Sequence, residues 1–197
     1  MLATSTTLAF LFYCFVQGIT PGPANVISFG SSMAYGTRAA LHQWVGLVVG
    51  YLAVSAASLA LLLALGGVTS DFLTVVSYAG AAYIAYLAIH TLRSSGGSNN
   101  NSLPKPTFAN GLIVQVTNIK IVVACVAAFS SYVIPFTHEP LMLVLAALAM
   151  PLVGTACNLA WLFGGNLLTD VYSRHERGAN VIMALSLLLC ALSMVMA

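Results

Sequence analysis

Charged residues are scarce in this sequence, in which six Lys and Arg and four Asp and Glu make up 5% of 197 residues. So little charge excludes the basic surface that nucleic acids bind and the polar surface of a soluble globular domain. Hydrophobic residues make up 60% of the chain, and the mean hydropathy is +0.98. The composition therefore predicts a protein of the lipid bilayer with no nucleic-acid partner.

Acidic side chains are missing from the middle of every long apolar run, since all four lie at run ends: Asp71, Glu139, Asp170 and Glu176. Six runs are long enough to cross a bilayer core of ~30 Å, which takes about 20 helical residues. They are 8–29, 44–65, 72–92, 111–135, 141–168 and 179–197. The sequence thus predicts an all-α membrane protein of six transmembrane helices, with too little chain between them for a soluble catalytic domain.

The few Lys and Arg residues outside these runs fall in alternate loops: Arg38, Arg93, Lys105, Arg174 and Arg177. Cytoplasmic loops collect positive charge, so this distribution predicts that both termini face the periplasm. Lys120 is the exception, because it lies inside the fourth run, where a cation is costly and marks a candidate functional residue. The alternative is that its long side chain only reaches the inner headgroups.

A polar segment, "SSGGSNNNSLPKPT" at 94–107, separates the third and fourth runs. Its Gly, Ser and Asn residues are typical of a flexible linker, and its two prolines resist helix formation. We interpret it as a cytoplasmic linker between two three-helix halves of one membrane domain, 1–93 and 108–197. Three spans in each half place the halves in opposite orientations, which is the 3+3 inverted repeat of many secondary transporters.

The first apolar run contains "TPGPAN", which an uninterrupted helix would not tolerate well. Pro21 and Pro23 have no N–H group, so a helical register would leave the carbonyls of Gln17 and Ile19 without partners. Thr20 precedes a proline and is pushed toward an extended conformation. We predict a broken first helix, whose unpaired backbone must face protein or a water-filled cavity. The alternative is a proline kink satisfied by neighbouring helices.

Polar residues of the second half are predicted at a similar depth. Lys120 has Asn118 beside it and Gln115 one turn earlier, and Asn158 adds a further amide from the fifth run. A helix rise of ~1.5 Å per residue places this group and the first break at one level, somewhat inside the midplane of the bilayer. The alternative for each amide is a hydrogen bond between helices with no role in binding.

A half-helix is expected to begin just past the break, with Gly22 at its entry, Pro23 in its first turn and its positive end near Asn25. A positive helix end and a lysine suit a ligand carboxylate, while freed carbonyls and side-chain amides suit an ammonium group. This combination favours a zwitterion such as a small neutral amino acid. The predicted substrate-binding residues are Gln17, Thr20, Pro21, Gly22, Pro23, Asn25, Gln115, Asn118, Lys120 and Asn158.

The four cysteines, Cys14, Cys125, Cys157 and Cys190, lie in the apolar runs and show no C-x-x-C spacing. We interpret them as packing residues. One alternative function is an intramembrane thiol–disulfide redox carrier that uses Cys14 and Cys125, and another is a structural or assembly subunit that transports nothing. No catalytic residue, cofactor or metal site is predicted, because the chain shows no clustered metal ligands.

Four motifs together resemble the LysE/RhtB family of bacterial amino-acid exporters, and most closely its cysteine and O-acetylserine exporter branch. They are "TPGPAN", "SYAGAAYIAYLA" at 77–88, "QVTNIK" at 115–120 and "GTACNLAW" at 154–161. The resemblance covers essentially the whole chain. It implies an inner-membrane carrier with a small amino acid as substrate and protons as the coupling ion. A second copy of the chain, in a homodimer, is the protein partner to consider.

The fourth-run motif departs from the family pattern. Many relatives have Asn-Pro-Lys, so their Asn and Lys correspond to Asn118 and Lys120, whereas Ile119 stands in place of the proline. The reason for a second backbone break is thereby removed. The sequence does not decide between an unwound and a continuous fourth span, nor between the amino acids that such exporters carry.

Overall fold

The structure, a computed structural model, describes residues 4–65, 70–93, 105–168, 170 and 174–196. Regular structure in these residues is helical throughout, with no β-strand, as the sequence predicts. Most of the predicted linker, 94–104, lies outside the described residues. The helices are α1 Thr4–Ile19, α2 Pro23–Tyr35, α3 Thr37–Leu65, α4 Ser70–Arg93, α5 Phe108–Val116, α6 Ile119–Ala128 with a π-helical extension Phe129–Val133, α7 Pro140–Leu167 and α8 Glu176–Met196.

Length and apolar composition identify fewer membrane-spanning helices than the six that the sequence predicts. Among the described residues, Thr37–Ala64 and Pro140–Leu167 are each long and apolar enough to cross a bilayer. The pair Phe108–Val116 and Ile119–Val133 makes a third if it is taken as one span bent by 55°. The first predicted span is not among them, and it is divided into helices of 16 and 13 residues, each shorter than the ~20 that a straight crossing needs.

The first break is where the prolines predict it. Helix α1 ends at Ile19 and α2 begins at Pro23, which occupies its first turn. Gly22 precedes α2 in extended conformation, with φ −167° and ψ 175°. A proline at the first helical position loses no hydrogen bond, because that N–H would have no partner within the helix in any case. The prediction of a broken first helix is therefore confirmed.

A second break occurs without a proline. Helix α5 ends at Val116 and α6 begins at Ile119, with Asn118 between them at φ −81° and ψ 95°. Thr117 lies in the gap, and its hydroxyl donates to the carbonyl oxygen of Ile113 at 2.7 Å. In the first break, the hydroxyl of Thr20 likewise donates to the carbonyl oxygen of Val16. The structure thus answers the open question about the fourth run, which is interrupted as the first is.

The two long helices α3 and α7 each pack against one of the interrupted helix pairs. Helix α7 packs against both α1 and α2, and α3 packs against both α5 and α6. Helices α3 and α7 also pack against each other, as do α4 and α8. The long helix of each half therefore supports the broken pair of the other half.

Glycines bring α3 and α5 into close contact. A Cβ atom on Gly46 would overlap the backbone oxygen of Phe108, and one on Gly111 would overlap the backbone oxygen of Gln43. Such close backbone approach is typical of small residues at membrane helix interfaces. The tight α3–α5 contact holds the second break against the centre of the bundle.

Candidate substrate site between two broken helices

The two breaks are in direct contact through Lys120, which lies in the first turn of α6. Its Nζ atom donates to the backbone oxygens of Gln17 at 2.9 Å and Thr20 at 2.7 Å. The side chain passes over Gly22, where a Cβ atom would lie 3.2 Å from Lys120 Cδ. The lysine is therefore a cation placed at the negative C-terminal end of α1, which is a favourable position for it.

Side chains from other helices also cap the end of α1. The amide nitrogen of Asn25 donates to the backbone oxygens of Gly18 at 3.0 Å and Thr20 at 2.9 Å. The indole N–H of Trp161, on α7, donates to the backbone oxygen of Ile19 at 3.1 Å. The broken end of α1 thus obtains from tertiary contacts the hydrogen bonds that a continuous helix would have supplied.

This capping corrects one expectation from the sequence. The break frees the carbonyls of Gln17 and Ile19 as predicted, but in this conformation the protein itself, rather than the ammonium group of a ligand, supplies their hydrogen-bond donors. Lys120 and Trp161 already donate to them. The reason is that an unpaired carbonyl inside a membrane protein is costly, so the fold supplies a donor to each.

Asn158 acts on the site through Asn25. Its amide nitrogen donates to Asn25 Oδ1 at 2.6 Å, and its own Oδ1 accepts from the hydroxyl of Ser28 at 2.8 Å. All three side chains are buried. The nitrogen and the oxygen of the Asn158 side-chain amide are therefore both engaged within the protein, and the residue holds Asn25 in the orientation that caps α1.

A small cavity of about 30 Å³ lies between the two breaks. Its volume suits one or a few water molecules. Seven of the ten predicted site residues line it: Gln17, Gly22, Asn25, Gln115, Asn118, Lys120 and Asn158. Thr20, Pro21 and Pro23 are not among the lining residues. The structure therefore brings together side chains from both halves of the chain, as the depth argument predicts.

Sequence reasoning missed several lining residues: Gly18, Ala24, Leu47, Tyr51, Ile121, Gly154 and Thr155. Gly154 could have been predicted from the sequence, because it precedes Asn158 by four residues and therefore lies on the same face of the helix. A Cβ atom on Gly154 would lie only 2.6 Å from Tyr51 Cε1. The glycine is thus needed for α7 to pack closely against Tyr51 on α3.

Two buried amide oxygens at the second break have no hydrogen-bond partner, Oε1 of Gln115 and Oδ1 of Asn118. The side chains are only 3% and 2% exposed. Asn118 is the N-cap residue of α6, yet its side chain makes no capping hydrogen bond. An unsatisfied buried acceptor costs about 1–3 kcal/mol, so a hydrogen-bond donor that reached these oxygens would be stabilised by them.

The cavity lining combines apolar residues with several polar side chains, and Lys120 is the charged residue among them. No Asp or Glu takes part in the lining. Cys14, Cys125 and Cys157 are buried free thiols that lie outside the lining, and the side chain of Cys190 is outside the described part of the chain. Within that part, no group of three or more His, Cys, Asp or Glu residues could hold a metal ion.

The fold and the cavity define a class: an all-helical membrane protein with a polar site where two interrupted helices meet. Residues 15–197 match the family model described as LysE type translocator. The chain therefore belongs to the LysE family of translocators, which confirms the resemblance seen in its motifs and indicates a transporter rather than an enzyme.

Curated relatives carry a common name. The chain is 32% identical over 187 residues to the cysteine/O-acetylserine efflux protein of Klebsiella pneumoniae, covering 95% of each chain. It is 29% identical over 184 residues to the protein of that name in Salmonella typhimurium, covering 93% of this chain and 94% of the relative. A relative of the same name in Escherichia coli O9:H4 is 28% identical over 183 residues, with the same coverage. No solved structure matches the chain.

Proposed function

We propose that this protein exports small neutral amino acids, such as cysteine or O-acetylserine, from the cytoplasm across the bacterial inner membrane. The observation that carries the proposal is the convergence of polar residues from two broken helices on one cavity that has a lysine and no acidic side chain. A site of this kind suits a carboxylate better than a cation. The names of the relatives, cysteine/O-acetylserine efflux proteins, agree with this substrate class.

The carboxylate of the substrate binds, in this proposal, between Lys120 and the start of α2. Gly22 has no side chain to cap that helix, and the first N–H to donate within the backbone is that of Val26, to Gly22. The N–H groups of Ala24 and Asn25 therefore form the positive end of α2, and both residues line the cavity. A helix N-terminus and a lysine together supply an anion site.

The cavity of about 30 Å³ is far smaller than the ~300–1,000 Å³ of ordinary ligand pockets. This conformation is therefore a closed one, and binding requires the two breaks to separate. The bridge from Lys120 to the carbonyls of Gln17 and Thr20 holds them together. A substrate carboxylate near Lys120 competes with those carbonyls for the ammonium group and so favours opening.

The arrangement in the membrane follows from the same proposal. Six spans, with α1–α2 and α5–α6 as the two interrupted ones, form a 3+3 inverted repeat with both termini in the periplasm. The reciprocal packing of α3 and α7 on the broken pairs supports this, since a pseudo-two-fold axis would produce it. The proton gradient drives export in this scheme, which names no proton-carrying residue because none of the acidic residues lies in mid-span.

Efflux of labelled solutes from proteoliposomes under an imposed pH gradient tests the function. We expect gradient-dependent efflux of cysteine or O-acetylserine, and efflux that persists when Cys14 and Cys125 are replaced by serine. Loss of flux in that double variant would favour the redox carrier. No flux of cysteine, O-acetylserine or threonine from wild-type proteoliposomes would overturn the proposal, and flux that ignores the gradient would overturn the proton coupling alone.

The role of Lys120 has a separate test with a matched control. A charge-assisted hydrogen bond is worth ~1.5–3 kcal/mol, so Lys120→Met should weaken binding of cysteine by roughly 10- to 100-fold. Binding of cysteinamide, which lacks the carboxylate, should change little. Lys105→Met makes the same substitution at an exposed position before α5 and should leave both affinities unchanged. The assignment fails if Lys120→Met keeps the wild-type preference for the free carboxylate.

A further inference from the structure

Most polar groups around the cavity are already satisfied by the protein. The C-terminal carbonyls of α1 accept from Lys120, Asn25 and Trp161. The amide oxygen of Asn25 accepts from Asn158, whose own amide oxygen accepts from a serine. Each of these acceptors therefore already has a protein donor in this conformation.

The second break differs in this respect. Gln115 Oε1 and Asn118 Oδ1 are buried without a hydrogen-bond partner, and both residues line the cavity. They stand three residues apart, at the last turn of α5 and at the N-cap of α6. Two neutral acceptor oxygens suit a donor group that carries several N–H bonds, as an ammonium group does.

We infer that Gln115 and Asn118 form the subsite for the α-ammonium group of the substrate. This inference rests on the proposed export of amino acids and assigns the part of the site that Lys120 does not serve. The ammonium group then binds at the second break, while the carboxylate binds between Lys120 and the start of α2. The freed carbonyls of the first break, which the sequence suggested for the ammonium group, already have protein donors in this conformation.

The test compares two ligands that differ in the amino group alone, cysteine and 3-mercaptopropionate. Their affinities are measured by isothermal titration calorimetry on the purified full-length protein under reducing conditions. Wild type should prefer cysteine by roughly 10- to 100-fold, the range for hydrogen bonds to a charged group. Asn118→Leu and Gln115→Leu should each reduce that preference by about tenfold, because cysteine binds more weakly while 3-mercaptopropionate is unaffected.

Gln43 provides a matched control. It is also a buried amide, 3% exposed, with an unpartnered oxygen, but it does not line the cavity. Gln43→Leu should therefore keep the wild-type preference for cysteine. Asn118→Asp keeps an acceptor oxygen at the same position and should also keep the preference, which covers the case in which Asn118→Leu does not fold.

The outcomes separate this inference from the proposed function. If wild type binds neither ligand, the export proposal and the subsite fail together. If wild type prefers cysteine but the leucine variants at 115 and 118 weaken both ligands equally, or neither, the ammonium subsite is wrong while the export proposal stands. A loss of preference in Gln43→Leu equal to that in the cavity variants would also overturn the subsite, because it would indicate a general packing effect.

Discussion

Replacing Asn25 with alanine is the sharpest test of how the first break is held. The amide of Asn25 donates to the carbonyls of Gly18 and Thr20 and accepts from Asn158, so Asn25→Ala removes three hydrogen bonds, two of them buried and one partly buried. Thr20 keeps its bond from Lys120, whereas Gly18 and Asn158 lose the bonds that Asn25 made to them. The variant should therefore loosen the end of α1 and its link to α7.

The expected size of the effect follows from the number of bonds. A side-chain hydrogen bond contributes about 0.6–1.5 kcal/mol in membrane and soluble proteins, so three bonds give about 2–4.5 kcal/mol of lost unfolding free energy. Ser28→Ala is the matched control, because it removes the single bond from Ser28 to Asn158 at the other end of the same network. It should cost about 0.6–1.5 kcal/mol.

Equilibrium unfolding of the purified protein in mixed micelles measures both variants. A double-mutant cycle of Asn25→Ala with Asn158→Ala isolates their shared bond, for which we expect a coupling of about 0.5–1.5 kcal/mol. The reasoning is refuted if Asn25→Ala destabilises the protein no more than Ser28→Ala does. A coupling near zero would show that Asn158 does not hold Asn25.

Three further predictions concern the fold and its orientation. Replacing Pro21 and Pro23 with alanine should extend α1 across the break. The variant should still insert into the membrane but should no longer export cysteine from proteoliposomes. Normal efflux would show that the break is not required. A single reporter cysteine added after Ala197, in a background without native cysteines, should react with an impermeant maleimide in intact spheroplasts; labelling only after permeabilisation would reverse the predicted topology. Gly46→Ala should destabilise the protein by about 1–3 kcal/mol, because the new Cβ would overlap a backbone oxygen of α5. Gly178→Ala is the control and should be nearly neutral, because nothing lies within 4 Å of its Cβ. Equal stability of the two variants in thermal unfolding would contradict the close α3–α5 contact.

The sequence alone determined the features that depend on local chemistry. Low charge and long apolar runs indicate a helical membrane protein wherever the runs fold. The break before α2 follows from Pro21 and Pro23, because a proline lacks an N–H group in any surroundings. The family motifs can likewise be read from the sequence alone. The group of amides around Lys120 could also be predicted, because helix rise converts residue number into depth.

The tertiary structure decided which groups satisfy one another. No proline marks the second break in the sequence, and only the structure shows that α5 ends at Val116 and α6 begins at Ile119. Trp161 caps Ile19 across 142 positions of sequence, and Lys120 caps Gln17 across 103. Asn158, a predicted substrate-binding residue, lines the cavity and also donates a hydrogen bond to Asn25. A donor pairs with the acceptor that packing brings within ~3 Å, and that distance depends on how the helices of the two halves cross rather than on the residues next to either group.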